Sequence, residues 1–204
     1  MNSIEKLIEI FRKFPGIGPR QAKRFVYFLL SQNNNFLENL SSILLDLKND
    51  VSQCESCYHF FKSRDGVTNC EICSDVNIDN KILMVVEKDV DLDNIQKTGS
   101  YRGKYFILGG NIPILERNPT SKIRAKELFI KVQNEIKNGL REVVLAVSVN
   151  PEGENTTQYL KKILEPLSDK YKIKITTLGR GLSTGTELEY SDADTLENAF
   201  RNRQ

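Results

Sequence analysis

The sequence predicts an α+β protein of several small domains. These are a pair of N-terminal helices, a four-cysteine module, an α/β domain with a mostly parallel sheet, and a helical C-terminal tail. Three observations carry this reading. All four cysteines fall within one short stretch, as Cys54-x2-Cys57-x12-Cys70-x2-Cys73. Before them, two stretches of helical periodicity flank the breaker Pro15-Gly16-Ile17-Gly18-Pro19. After them, apolar runs of strand length alternate with helical stretches, the pattern of a buried parallel sheet with helices on its faces.

The elements follow in order. Ile4, Leu7, Ile8, Phe11 and Phe14 recur at helical spacing and predict a helix over 3–14. The pattern resumes from about Arg20 to Ser31, with Ala22, Phe25, Val26 and Leu29 apolar. Gln32 to Asn35 is a polar turn, and Leu37, Leu40, Leu44 and Leu47 predict a third helix over 36–48. Strands are expected at Lys81 to Glu87, Tyr105 to Leu108, Val143 to Val147 and Lys172 to Thr177. Helices are expected near 120–138 and 155–165, with a short exposed one at 192–203. No internal repeat or low-complexity segment is present. Boundaries are expected near residues 52 and 79.

Composition narrows the function classes. The chain has 204 residues, 27% of them charged and 39% hydrophobic. No apolar run reaches the ~18 residues that a membrane helix needs. The N-terminal MNSIEKLIEIFRKF is amphipathic, unlike a signal peptide. These features predict a cytoplasmic protein, where thiols stay reduced and can hold metal. The net charge of +2 is uninformative, but its distribution is not. Arg12, Lys13, Arg20, Lys23 and Arg24 fall in one segment without an acidic residue. Such a patch suits a polyanion contact. The alternative is a solvated helix face.

Two CxxC pairs across a short loop can place four thiolates around one tetrahedral zinc ion. Four sulfur ligands leave no open position, so the ion would be structural. The alternatives are two local disulfides or buried thiols. His59, the only histidine, could replace a ligand, but the fourth cysteine makes that unnecessary. It reads as an ordinary side chain on the first knuckle.

A helix, PGIGP and a second helix form the helix-hairpin-helix pattern. Gly16 and Gly18 can take positive φ and have no side chain, so backbone can approach a phosphate closely. N–H groups opening the next helix favour an anion there, and Pro19 suits its first position. Arg20, Lys23 and Arg24 lie on the first turns, with Arg20 and Arg24 on one face. This predicts contact with the DNA backbone, strong salt dependence and little sequence preference. The alternative is a plain αα-corner.

Glu87 ends the first strand of the sheet, where α/β folds place their sites. A later strand leads into Val147-Ser148-Val149-Asn150-Pro151-Glu152-Gly153-Glu154. This order resembles the Toprim domain, whose enzymes carry a glutamate after the first strand and an Asp-x-Asp pair after a later one, holding Mg²⁺ for phosphoryl transfer. Here Ser148 and Asn150 stand at the pair's positions. Neutral oxygens hold Mg²⁺ poorly, so the domain reads as catalytically silent. Asp89, Asp91 and Asp93 read as a solvent-facing loop or helix start rather than as replacement ligands.

The order of helix-hairpin-helix, four-cysteine module and Toprim domain resembles the RecR family of recombination mediator proteins. So does the segment from Gly179 to Asp192, GRGLSTGTELEYSD, with Thr195-Leu196 and Ala199 to Arg203 after it. Glu152-Gly153-Glu154 and Tyr101-x-Gly103-x-Tyr105 match as well. The chain departs from the family at Asn111 to Pro119, usually Ser-Pro-Leu and a Gly-rich segment. It departs also at Phe106, usually histidine, and at Ser183, usually proline.

The resemblance implies a non-catalytic mediator that binds DNA. With RecO, and possibly RecF, it would assist RecA loading onto single-stranded DNA as a dimer or ring-like homotetramer. By position, Arg20 and Arg24 match the family's DNA-binding residues, and Lys23 is added on its adjacency. Glu87, Glu152 and Glu154 match the Toprim face that engages RecO. Tyr190 and Asp192 would pack on a neighbouring subunit. The domains are then 1–52 (helix-hairpin-helix), 53–78 (zinc finger), 79–178 (Toprim) and 179–204 (tail). Two other readings stand beside this one: a Mg²⁺-dependent phosphoryl-transfer enzyme on nucleic acid, and a zinc-ribbon adaptor that binds only proteins. Gly179, Gly181 and Gly185 are loose glycines rather than a P-loop, and predict no ATP site.

Overall fold

In the N-terminal part, Asn2 and Glu5 close a capping box that starts α1 (Ser3–Phe11). The helix stops at Phe11 rather than Phe14. The N–H groups of Lys13 and Phe14 turn back to Ile10 O and Phe11 O, both at 3.1 Å, tightening the chain ahead of Pro15. Helix α2 (Pro19–Leu30) begins with Pro19 at its first position, as expected. Helix α3 (Asn34–Asp50) outruns the expected 36–48, because Asn33 accepts from Phe36 N at 2.9 Å and starts it inside the asparagine run. The Phe11 ring meets Phe14 and Phe25 edge-on.

The computed structural model describes residues 2–116, 118, 121–179, 181–182, 184–185 and 187–203. Of the motif residues above, Arg117, Pro119, Arg180, Ser183 and Thr186 lie outside that set. The chain forms two compact units, Met1–Ser52 and Gln53–Gln204. Among the described residues of the first, only Ala22 and Val26 are buried. Ile43, Leu44, Leu45 and Leu47 of α3 are all more than half exposed.

Strand β1 (Val51–Gln53) runs across the boundary of the units; in the second unit β2 (Phe60–Lys62) follows, and the short α4 (Glu71–Ser74) carries the last cysteine. A four-stranded sheet follows, built from β3 (Asp79–Val86), β4 (Gly103–Ile107), β5 (Glu142–Ala146) and β6 (Lys174–Thr177). Its order is β4-β3-β5-β6 and every pairing is parallel. Helix α5 (Asp89–Thr98) joins β3 to β4, α6 (Ala125–Lys137) joins β4 to β5, and α7 (Pro151–Tyr171) joins β5 to β6.

Strand alternation divides the core between the two faces. Leu83, Val85, Phe106, Val143 and Leu145 pack with Leu128 and Val132 of α6 and Leu160 and Leu164 of α7. Met84, Val86, Tyr105, Ile107 and Ala146 pack with Leu92 of α5. Connections leave β3 and β5 in opposite directions, so the ends of these neighbours form the switch point where open α/β sheets place their sites.

In this unit α6 starts at Ala125 rather than near 120, and α5 and α7 go beyond the sequence reading. The segment 89–98 forms a full helix. Helix α7 continues through Pro166 to Tyr171 instead of stopping near 165. Pro166 faces solvent while Leu160, Leu164 and Leu167 are buried on either side, so packing holds the helix across the missing hydrogen bond. The tail holds a 3₁₀ turn (Leu188–Tyr190) and α8 (Ala193–Arg201). Among the described residues no helix is long and apolar enough to cross a membrane.

Candidate functional site

The four cysteine sulfurs lie within 4.8 Å of one another. Cys57 Sγ and Cys70 Sγ are 3.6 Å apart. Tetrahedral zinc–sulfur bonds of about 2.3 Å place sulfurs roughly 3.8 Å apart, whereas the cysteines are free of disulfides. Local hydrogen bonds shape the first knuckle. Tyr58 N donates to Cys54 O at 2.9 Å and Cys54 N to His59 O at 2.8 Å, with Tyr58 at φ +66°. Cys70 N donates to Cys54 Sγ at 3.3 Å.

Hydrogen bonds with the other three thiols drive Cys54 far below the ordinary thiol range and drive Cys57 far above it. So crowded a set cannot all ionise alone; a bound cation lets all four do so. The cluster therefore has the sulfurs, spacing and burial to hold a metal ion. His59 lies outside it. Its Nδ1 pairs with Asp89 Oδ1 at 2.9 Å, so Nδ1 carries the proton.

The hairpin brings together Gly16, Gly18, Arg20, Lys23 and Arg24, all exposed. Gly16 takes the left-handed conformation open to it, at φ +74°. Gly18 does not. It is extended, at φ −81° and ψ 172°, because it serves as the N-cap of α2, a position that needs extended backbone. It offers no side chain to that cap, and the first turn of α2 holds no acidic residue. The opening N–H groups and three exposed cations thus lie on the first turns of one helix. Lys23 Nζ also lies 5.8 Å from the Tyr27 ring centroid.

At the switch point, Glu87 follows β3 and is buried, with 4% exposure. Its Oε1 accepts the backbone N–H of Ser148, in the turn after β5. Burial pushes its pKa up, but hydrogen bonds from the Ser148 side chain and backbone and from the Asn111 side chain, with the charge of Lys88, bring it below the ordinary value. Asn150 caps α7, its Oδ1 accepting Gly153 N at 2.8 Å. A side chain on Gly153 would collide with the carbonyl oxygen of Ser148. Ser148 and Asn150 thus hold the turn together through hydrogen bonds.

Glu152 and Glu154 lie exposed on the first turn of α7. Buried Glu87 can shape that face only through the turn it holds. Asp89 opens α5, and Asp91 accepts Lys88 N at 3.0 Å, so both belong to a helix start. Asp192 caps α8 by accepting Thr195 N at 2.8 Å, and Tyr190 is exposed. The tail lines a cavity of about 510 Å³ with Ser148, Glu154 and Thr177. Sequence reasoning missed Asn111 and the Asp89–His59 pair, which join residues far apart in the chain and leave no mark on local periodicity.

A helical hairpin, a four-cysteine cluster that could hold a metal ion and a parallel sheet with Ser148 and Asn150 at its switch point make up a multi-module protein. The family model described as "RecR, helix-hairpin-helix" matches residues 4–48. Those described as "Toprim domain" and "RecR, C-terminal" match 81–179 and 181–204. Recombination protein RecR of Chloroherpeton thalassium is 37% identical over 203 residues, which cover 99% of this chain and 96% of that one. The proteins of the same name from Chlorobaculum tepidum and Dehalococcoides mccartyi are each 36% identical over 201 residues, covering 98% of this chain and 96% and 93% of theirs. The chain belongs to the RecR family of recombination proteins, as its motif order indicates.

Proposed function

We propose that the protein is a non-catalytic mediator of DNA repair that binds DNA through the hairpin of α1 and α2. The carrying observation is a coincidence at one place: the left-handed Gly16 turn, an α2 N-terminus without a side-chain cap, and exposed Arg20, Lys23 and Arg24. This combination suits phosphate and reads no base. In this reading the protein works in the cytoplasm with RecO, and with RecF as a further candidate, to assist RecA loading onto single-stranded DNA. The turn bearing Glu152 and Glu154 offers an acidic partner face. The cluster holds one structural zinc ion. The apolar side chains exposed along α3 fit a homo-oligomer, dimer to tetramer, in which a second copy covers them.

The test is a salt titration of binding to labelled single-stranded and duplex DNA, with Mg²⁺ present and strand integrity followed in the same tubes. Arg20→Ala with Arg24→Ala should weaken binding and lower the salt slope by about 0.9 per lost phosphate contact. Unchanged binding would remove the hairpin from DNA contact. Cut or rejoined strands, abolished by Glu87→Gln, would replace the mediator reading with a Toprim enzyme.

A further inference from the structure

Strand β4 lies at the edge of the sheet, with β3 on one side only. Leu108 N, just past the strand, donates inward to Val86 O at 2.8 Å. Backbone alternation then aims the Ile107 N–H outward, where an edge would leave it unpaired. It is paired instead. Ile107 N donates to Cys57 O at 2.8 Å. One residue thus gives its sulfur to the metal cluster and its carbonyl to the sheet edge.

The next residue anchors the contact. The Tyr58 ring meets Phe106 edge-on at 5.4 Å, and the Arg124 guanidinium sits 4.8 Å from its centroid. Arg124 Nη1 also donates to Ile107 O at 3.0 Å. The residues after Tyr58 reach a second place. Asp89 Oδ1 accepts both His59 Nδ1 and Phe60 N, each at 2.9 Å. Asp89 opens α5, two positions after Glu87.

We propose that the four-cysteine module caps the edge strand of the Toprim sheet through Cys57 and braces the β3–α5 junction through Asp89, so that metal occupancy sets the order of both. The cap goes beyond a local structural metal. A knuckle that loses its ion releases the carbonyl that covers β4 and the two donors that hold Asp89. The junction so released is the one that bears Glu87 and, through Ser148, the acidic turn. The inference depends on the metal cluster and is independent of DNA binding by the hairpin.

Hydrogen exchange read by mass spectrometry tests it on the full-length protein. Removing metal with a chelator should speed exchange at Ile107 and Phe60 at least about tenfold, the loss of roughly one charge-assisted or backbone hydrogen bond each. Strand β5 should keep its protection, and added zinc should restore the rest. Unchanged Ile107, or loss spread evenly over β5, would overturn the proposal. Asp89→Ala gives a second reading with the metal in place. Metal content should hold while residues 88–92 and Phe60 exchange faster, and Asp89→Asn, which keeps an oxygen acceptor, should behave as wild type. Equal behaviour of the alanine variant and wild type would refute the brace.

Discussion

The carboxylate of Glu87 accepts the backbone N–H of Ser148, 61 residues further along the chain. The bond ties the end of β3 to the turn after β5. Glu87→Ala leaves the Ser148 N–H and the Asn111 side chain without their acceptor. It should cost about 1–3 kcal/mol in urea unfolding. Glu87→Gln keeps an accepting oxygen and should cost less.

The same bond predicts the response to Mg²⁺. Wild-type melting should not move with added Mg²⁺. Ser148→Asp sets a second carboxylate beside buried Glu87, and two like charges resist joint ionisation. Its melting temperature should fall without divalent ions and recover in part with Mg²⁺. A variant indifferent to Mg²⁺ would show that this end of the sheet cannot be returned to metal binding by one carboxylate.

In the hairpin the two glycines should separate. Gly16→Ala forces a side chain into the left-handed region and should destabilise by about 1–2 kcal/mol. Gly18→Ser meets nothing within 4 Å and supplies the missing cap, so it should stabilise by a few tenths of a kcal/mol. If phosphate approaches that backbone, the same serine should weaken DNA binding in a protein that melts no lower.

Acid sensitivity has a source in Glu135, which is buried between Lys104 Nζ at 2.6 Å and Lys131 Nζ at 2.8 Å. Burial pushes its pKa up, but hydrogen bonds from both lysines and their charges hold it below the ordinary 4.5. The folded state therefore binds this proton less tightly than the unfolded chain. Its stabilisation is present above the ordinary carboxylate range and is lost as pH falls through the lowered folded value. Glu135→Gln should cost about 3 kcal/mol at neutral pH, the low end for breaking a buried pair, leaving two partly buried ammonium groups unneutralised. Its stability should also vary less with acid than the wild type in melts across that range.

Thiol reagents offer a direct check on the metal. Cys54, Cys57, Cys70 and Cys73 should react weakly in the protein as purified and fully once a chelator is added. Full reaction beforehand would contradict a bound ion.

Local features were legible in the sequence. The cysteine spacing, the hairpin breaker and the apolar strand runs each lie within a few residues. Helix α5 was not, because its aspartates hid the few apolar positions, among them Leu92. The reach of α7 past Pro166 depended on leucines buried against a sheet that periodicity does not see. The extended Gly18 shows the limit of composition, since glycine permits positive φ without requiring it. At the candidate site the residue types were readable and the partnerships were not. Glu87 with Ser148, and Asp89 with His59, meet only after the sheet has formed.

The cysteine cluster also bears on synthesis at the ribosome. All four sulfurs leave the exit tunnel before any strand of the large sheet does. Contacts among them are short-range and can close while β4 is still inside the tunnel, whereas parallel pairing must wait for distant segments. Metal capture can thus precede the strand whose edge Cys57 will cover. A nascent chain starved of zinc would then make β3 and β4 with their outer edge bare, when neighbouring chains on the same messenger are close enough to pair with it.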